Sequence, residues 1–308
     1  MRKKVSIIGA GNVGATTAQF VVQSGLADVV LFDIAEGIPQ GKALDLAEAC
    51  PLWNSSSTIK GTNNYSDTAG SDIVVIAAGF PRKPGMSRGD LLLANANVIR
   101  ETCVNVAKTS TNAIIIVVTN PMDIMAQLAW KTTEFSCKRV IGMGGILDAA
   151  RLTAFLSWEL DVSPEDVEAL VLGGHGDEMV PLTRFTAVKG MPVTELLPKN
   201  GIESLIERTR KGGAEIVALL KTGSAYYAPA AATFQMIRSI LLDEKRLFPC
   251  AAYLNGEYGF KDIYMGVPVI LGKEGIEKIV EVKLTKEEKA QFRKSCTSVR
   301  KLIKKLSI

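Results

Sequence analysis

The first half of the chain alternates short, continuous apolar runs with segments of helical periodicity, and this pattern limits the folds that it can adopt. The runs, rich in β-branched and aliphatic residues, are Val5 to Ile8, Val29 to Phe32, Ile73 to Ala77, Ala113 to Val118 and Arg139 to Ile141. Strands that are apolar throughout are buried on both faces, and intervening helices supply the crossovers of a parallel sheet. The pattern therefore predicts a doubly wound α/β domain.

The second half mixes strands and helices in a different way. Helices are predicted for Leu147 to Leu160, Ile202 to Leu220 and Tyr226 to Leu242, and strands near Val167 to Leu172, Arg184 to Val188, Ala251 to Leu254 and Val267 to Leu271. This order predicts a C-terminal α+β domain. Because the glycines between Gly142 and Gly145 provide a flexible break, we expect domains of residues 1–143 and 144–308.

The C-terminal segment has the signature of an amphipathic helix. It starts with Thr285-Lys286-Glu287-Glu288, a capping-box pattern. Apolar residues follow at alternating spacings of four and three: Phe292, Cys296, Val299, Ile303 and Leu306. The lysines around this stripe leave a membrane-surface role open, although a solvated outer face on a packed terminal helix is the commoner explanation.

Composition excludes several classes of protein. Of 308 residues, 47% are hydrophobic and 22% are charged, values typical of a folded globular protein. The net charge of +4 is too small to favour nucleic acid, so the expected partner is a small anionic substrate. No apolar run approaches the roughly 18 residues of a membrane helix. Five cysteines without a CxxC pair predict neither a metal site nor disulfides, and suit reduced thiols in the cytoplasm.

A glycine-rich motif joins the first predicted strand to the following helix: Gly9-Ala10-Gly11-Asn12-Val13-Gly14. Its glycines would allow a tight turn, close approach of a pyrophosphate to the backbone, and close packing of helix on strand. About 20 residues further on, Asp33 could accept both hydrogen bonds of an adenosine ribose and repel a 2′-phosphate. Either feature alone could lack a function. Together they predict a Rossmann-type domain that binds NAD.

The only histidine of the chain is His175, in the stretch Gly173-Gly174-His175-Gly176. Three glycines within four positions suggest an exposed ring. A lone histidine is more often structural than catalytic. Asp148 and Arg151, three apart, would project from one face of a predicted helix, although an ordinary surface ion pair would look the same.

Two predicted strands end in loops with polar side chains. Ile73 to Ala77 runs into a loop punctuated by proline and glycine that carries Arg82, Lys83 and Arg88. At the carboxyl end of a parallel strand, this loop is well placed to be a basic lid, although a solvated charged loop has the same composition. The other strand ends at Thr119-Asn120-Pro121, where Asn120 could hydrogen-bond beside a nicotinamide or the Asn-Pro pair could simply stop the strand.

These motifs, in order, resemble the lactate and malate dehydrogenase family essentially end to end. The matching segments are GAGNVG, the Asp33 position, RKPGMSR, VTNP, LDAAR and GGHGDEMVP. The resemblance implies hydride transfer between the nicotinamide C4 of NAD and the second carbon of a 2-hydroxy acid or 2-oxo acid. It also implies a homodimer or homotetramer.

The resemblance assigns a role to each candidate residue. His175 would exchange the hydroxyl proton, Asp148 would hold the other ring nitrogen, and Arg151 would bind the substrate 1-carboxylate. Arg88 would polarise the carbonyl. Cofactor contacts are implied for residues 9–14, Asp33, Asn95, Val118, Thr119 and Asn120, with Asn120 also touching substrate and preceding a cis proline.

Arg82 bears on the choice of substrate. By the resemblance, malate dehydrogenases have arginine at this position, whereas lactate dehydrogenases have glutamine. Enclosing the second carboxylate of oxaloacetate without a cationic partner should cost about 3 to 5 kcal/mol. We therefore expect oxidation of (S)-malate to oxaloacetate and the reverse. L-lactate dehydrogenase and a non-catalytic NAD-sensing module are the alternatives, and NAD sensing alone would need neither His175 nor Arg151.

Overall fold

The computed structural model describes residues 2–80 and 88–306, and Arg88 enters it only as the first residue of a helix. The strands are β1 Lys4–Ile8, β2 Asp28–Phe32, β3 Ile59–Thr62, β4 Ile73–Ile76, β5 Ile114–Val117, β6 Val140–Gly142, β7 Val167–Glu168, β8 Val171–Gly173, β9 Met179–Pro181, β10 Ala187–Val188, β11 Met191–Pro192, β12 Arg246–Asn255, β13 Lys261–Gly272 and β14 Gly275–Ile279. The helices are α1 Asn12–Gln23, α2 Ile38–Ala49, α3 Arg88–Thr109, α4 Met122–Thr133, α5 Gly145–Leu160, α6 Val193–Leu196, α7 Lys199–Leu220, α8 Tyr227–Leu241 and α9 Lys286–Lys305.

The first half is a doubly wound α/β domain, as the apolar runs predicted. Its six strands are parallel and lie in the order β3-β2-β1-β4-β5-β6. Every residue of β4 and β5 is buried, because helices cover both faces of the sheet. Strand β1 has β2 on one side and β4 on the other, so the strand order reverses direction at β1. This reversal opens a crevice at the carboxyl ends of the strands.

The second half extends the same sheet with antiparallel strands. β12 pairs with β6 through Ala251 and Gly142, and β13, β8 and β9 follow in order. A Cβ atom at Gly142 would lie 2.8 Å from the Cβ of Ala251, so this junction needs glycine. A small sheet of β11, β10 and β7 lies apart from the main one. The division into residues 1–143 and 144–308 stays a prediction.

Two predicted strands of the second half were wrong in part. In the stretch from Arg184 to Val188, residues Thr183–Phe185 form a short 3-10 helix and only β10 is extended. The Thr186 hydroxyl donates to the Leu182 carbonyl, so local hydrogen bonds outweigh the β propensity there. The stretch Val167 to Leu172 splits into β7 and β8, which belong to different sheets. Strands β3, β9, β11 and β14 were not predicted.

The C-terminal helix α9 confirms the expected cap and stripe. Thr285 Oγ1 accepts the Glu288 N–H at 3.2 Å, and Glu288 accepts the Thr285 N–H at 2.8 Å. All five residues of the apolar stripe are buried, and α9 packs against β8, β9 and α4. Within the described residues, no helix has the length and apolar character needed to cross a membrane.

The capping box generates a stability prediction. Thr285→Ala removes the side-chain acceptor of an otherwise unpaired helix N–H and should lower the free energy of unfolding by about 1 kcal/mol. Urea denaturation followed by circular dichroism measures the loss. Thr297→Ala is the matched control, because the exposed Thr297 hydroxyl bonds only within α9. Equal midpoints for the two variants would contradict a stabilising cap.

Candidate active site

The glycine motif forms a tight turn between β1 and α1. A Cβ atom on Gly14 would lie 1.8 Å from the Gly9 carbonyl oxygen, and one on Gly9 would lie 2.5 Å from the Ala78 nitrogen. Both positions therefore exclude a side chain by packing. Gly11 differs, because a Cβ atom there meets nothing within 4 Å. The open space lies at the N-terminus of α1, which has no side-chain cap, and this arrangement fits a bound pyrophosphate.

The Asp33 carboxylate lies beside this turn. It accepts the Ala10 N–H at 2.7 Å and the Ala35 N–H at 3.0 Å, which fixes both oxygens at the end of β2. Lys42 of α2 donates to the Ala10 carbonyl at 2.8 Å and braces the same turn. Each carboxylate oxygen retains further acceptor capacity, so the group fits the ribose diol of NAD.

The carboxyl ends of β4 and β5 are tied together by Asn95 of α3. Its Oδ1 accepts the Phe80 N–H at 2.8 Å, and its Nδ2 donates to the Asn120 carbonyl at 2.7 Å. Thr119 Oγ1 donates to the Ala78 carbonyl at 2.6 Å. The Asn120–Pro121 peptide bond is cis, as the resemblance implied. Asn95 is thus largely occupied in shaping the wall of the crevice.

His175 and Asp148 form the central contact of the site. The Nδ1 atom of His175 lies 2.9 Å from Oδ2 of Asp148, whose side chain is 1% exposed. The expectation of an exposed ring was wrong, because the His175 side chain is only 13% exposed. A Cβ atom at Gly144 would lie 3.3 Å from the Cβ of His175, so the ring packs on the glycine stretch before α5.

Arg151 lies on the same face of α5 as Asp148, as the spacing predicted. Its Nη1 is 3.5 Å from Oδ1 of Asp148. Gly212 and Gly213 of α7 leave room for this side chain, since a Cβ atom at Gly212 would lie 3.2 Å from its Cδ. The buried Nε of Arg151 has no hydrogen-bond partner among the described residues. A buried donor without a partner beside a histidine fits an anionic ligand such as a carboxylate.

The charges around His175 favour its protonated form. Burial lowers the pKa of His175, but the charge and hydrogen bond of Asp148 and the charge of Asp123 outweigh that effect and raise the pKa above its ordinary value. Burial also lowers the pKa of Arg151, against the opposing charge of Asp148. The ring can therefore hold a proton near neutrality and release it to a reaction partner.

Sequence reasoning missed Asp123 of α4. Its Oδ2 accepts the His175 backbone N–H at 2.9 Å, although the two residues are distant in sequence. Burial raises the pKa of Asp123 to about 6, while the His175 amide and ring act in the opposite direction. The sequence offered one signal, an acidic residue inside the apolar stretch from Met122 to Met125. Acidic residues are common in the first turn of a helix, and that preference explains Asp123 equally well.

Arg82 and the side chain of Arg88 lie outside the described residues. The structure thus brings together His175, Asp148 and Arg151 at one end of the crevice, and residues 9–14 with Asp33 at the other. Asn95, Val118, Thr119 and Asn120 lie where β4 and β5 end.

Comparison with known proteins identifies the family of this chain. The model of the lactate/malate dehydrogenase NAD binding domain matches residues 3–142, and that of the lactate/malate dehydrogenase alpha/beta C-terminal domain matches residues 146–307. The chain belongs to the lactate/malate dehydrogenase family. Membership of this family gives the chain an NAD-binding domain, with NAD as the cofactor.

Individual members of the family resemble the chain over its whole length. A malate dehydrogenase of Desulforudis audaxviator (strain MP104C) is 55% identical over 307 residues, which are 100% of this chain and 99% of that protein. The solved malate dehydrogenase of Cryptosporidium parvum is 46% identical with a TM-score of 0.97, covering 100% of this chain and 99% of that one. A lactate dehydrogenase of the same organism, complexed with lactic acid and the cofactor, is 42% identical with a TM-score of 0.97, covering 100% and 98%.

The contrast between Gly11 and Gly14 generates a binding prediction. Gly11→Ala places a methyl group in the open space at the N-terminus of α1 and should weaken NADH binding at least about tenfold without unfolding the protein. Gly14→Ala forces the Gly9 carbonyl to move and should lower the melting temperature by several degrees. Fluorescence titration with NADH and thermal denaturation measure the two effects. Unchanged NADH affinity in Gly11→Ala would contradict a pyrophosphate at this turn.

Proposed function

We propose that this protein is an NAD-dependent malate dehydrogenase, which oxidises (S)-malate to oxaloacetate and catalyses the reverse reduction. The observation that carries the proposal is the contact of His175 with the buried Asp148, with Arg151 beside it. This constellation supplies a proton carrier, its orienting carboxylate and an anion-binding guanidinium in one place. Full-length relatives named malate dehydrogenase support the choice of substrate.

His175 carries the proton in the proposed reaction. Because Asp148 accepts the hydrogen of Nδ1, the other ring nitrogen Nε2 is free to take the hydroxyl proton of malate. For malate oxidation, bound NAD would supply the acceptor of the hydride that leaves the second carbon. For oxaloacetate reduction, NADH would supply the hydride. Loss of one proton and one hydride converts the alcohol to a ketone. The imidazolium that results is stabilised by Asp148.

Arginines hold the two ends of the substrate in this proposal. Arg151 binds the 1-carboxylate as a bidentate fork, which satisfies its buried Nε. Arg82 pairs with the second carboxylate, and Arg88 stabilises charge on the reacting oxygen. Asn120 bridges substrate and cofactor. The arginine at position 82 is the sequence feature that favours malate over lactate.

The proposed enzyme is a homodimer or homotetramer in the cytoplasm. Exposed apolar side chains on and after α2 support self-association: Ile38, Leu44 and Leu52. The five cysteines are free thiols, which suits a reducing compartment. Light scattering coupled to size-exclusion chromatography tests the assembly, and a mass of one chain would contradict it.

Arg82 provides the first test of substrate choice. Arg82→Gln removes the cationic partner of the second carboxylate and should lower kcat/KM for oxaloacetate by about 100-fold or more, while NADH affinity stays nearly intact. Lys83→Gln, which removes the neighbouring positive charge, is the matched control and should change kcat/KM much less. Equal losses in the two variants would show a general charge effect and contradict a specific role for Arg82.

The activity itself is tested by NADH oxidation at 340 nm with oxaloacetate, then with pyruvate, then with NADPH in place of NADH. We expect oxaloacetate with NADH to be the preferred pair. Higher kcat/KM for pyruvate would favour L-lactate dehydrogenase, and no turnover with either would favour an NAD-sensing module. His175→Asn should abolish turnover and retain NADH binding, and substantial residual turnover would remove its proton-transfer role.

A further inference from the structure

Asp123 is a buried carboxylate that the proposed reaction does not use. It lies in the first turn of α4, where the helix dipole favours a negative charge, and only 3% of the residue is exposed. Its Oδ1 has no hydrogen-bond partner among the described residues. Burying a carboxylate with incomplete hydrogen bonding costs free energy, so this group needs a reason beyond packing.

The geometry of Asp123 connects it to the backbone of the His175 loop. Oδ2 accepts the His175 N–H at 2.9 Å. The preceding residue, Gly174, is closely packed, because a Cβ atom on it would lie 3.4 Å from this oxygen and 3.1 Å from Val299. The Gly174 N–H donates to Ser295 Oγ at 2.8 Å. Two successive amides of the loop are thus held from α4 and α9, independently of the ring contact with α5.

Asp123 also acts on the ring through its charge. Among the described residues, the largest charge effects on the pKa of His175 come from Asp148, then from Asp123 of α4, and in the opposite direction from Arg151. The Cys296 thiol of α9 lies near Asp123, and burial raises its pKa to about 12, so it stays neutral. A negative charge in this dry environment stabilises an imidazolium more than the same charge in water would.

We propose that Asp123 is a positioning residue that fixes the backbone of His175 and whose negative charge favours the protonated ring. This inference rests on the proposed function, in which His175 carries the proton. The effects of the backbone contact and of the charge can be separated by substitution, because asparagine at position 123 keeps an oxygen acceptor and removes the charge.

The single histidine makes the effect on the ring directly measurable. In protein without a histidine tag, labelled with ¹³C in histidine, NMR reports the ionisation of His175 alone. Asp123→Asn should move its titration midpoint to lower pH. Ser295→Ala is the matched control, since it removes the neighbouring loop contact without changing a charge, and its midpoint should match the unaltered protein. An unchanged midpoint in Asp123→Asn would overturn the proposal.

Kinetics test the two roles separately. Oxaloacetate reduction needs a protonated ring, so its kcat/KM falls as pH rises through the pKa of His175, and Asp123→Asn should move that fall to lower pH. At pH values below this fall, the kcat of Asp123→Asn should stay within about threefold of that of the unaltered protein, because the amide oxygen still accepts the His175 N–H. Asp123→Ala should lower kcat about 10- to 100-fold, since it also releases the backbone. Equal kcat for the alanine and asparagine variants would overturn the backbone role.

The unaltered protein provides a test that does not depend on the folding of a variant. Because burial raises the pKa of Asp123 above its ordinary value, its ionisation should appear as a second inflection on the acid side of the His175 titration. A single inflection would overturn the charge coupling. The NMR experiments require no turnover. Failure of this inference is therefore distinguishable from absence of oxaloacetate activity, which would defeat the proposed function instead.

Discussion

The site depends on one hydrogen bond, between the His175 ring and a carboxylate that is almost fully removed from water. A buried charge is costly unless it is paired, and Asp148 is paired on one side with the ring and on the other with Arg151. The same contacts fix the ring orientation and favour the imidazolium, and in the proposed reaction they leave Nε2 for the substrate. The contacts that stabilise the buried Asp148 carboxylate are therefore the same contacts that prepare His175 for its proposed proton transfer.

The fold places these groups beside the proposed cofactor site by joining two kinds of sheet. Parallel strands open a crevice at their carboxyl ends, where the turn of residues 9–14 and Asp33 lie. The pairing of β6 with β12 continues the sheet into the second half, and α5 starts just after β6. Asp148 and Arg151 are thereby held on a rigid helix, and His175 on a loop whose two successive amides are fixed by α4 and α9.

Much of this could be predicted from local sequence, because the signals were local. The apolar runs predicted the parallel sheet, the glycine motif predicted the turn, and the i,i+3 spacing placed Asp148 and Arg151 on one face. Asp123 was missed because its partner is a backbone amide far along the chain, and an acidic residue in the first turn of a helix needs no such partner to explain it. The burial of His175 was also missed. The glycines next to it in sequence allow an exposed ring, but the absence of a side chain on Gly144 lets the stretch before α5 pack against His175. The strand predicted at Arg184 to Val188 failed where a threonine hydroxyl bonded to the local backbone.

The role of the Asp148–His175 contact is tested most directly by Asp148→Asn, which preserves shape and removes the charge. We expect kcat for oxaloacetate reduction to fall by at least about 100-fold, because the ring loses both its fixed tautomer and its stabilised cation. NADH affinity should be unchanged, since Asp148 is not among the residues proposed to hold the cofactor. Turnover near that of the unaltered enzyme would contradict a role for the Asp148 charge in proton transfer.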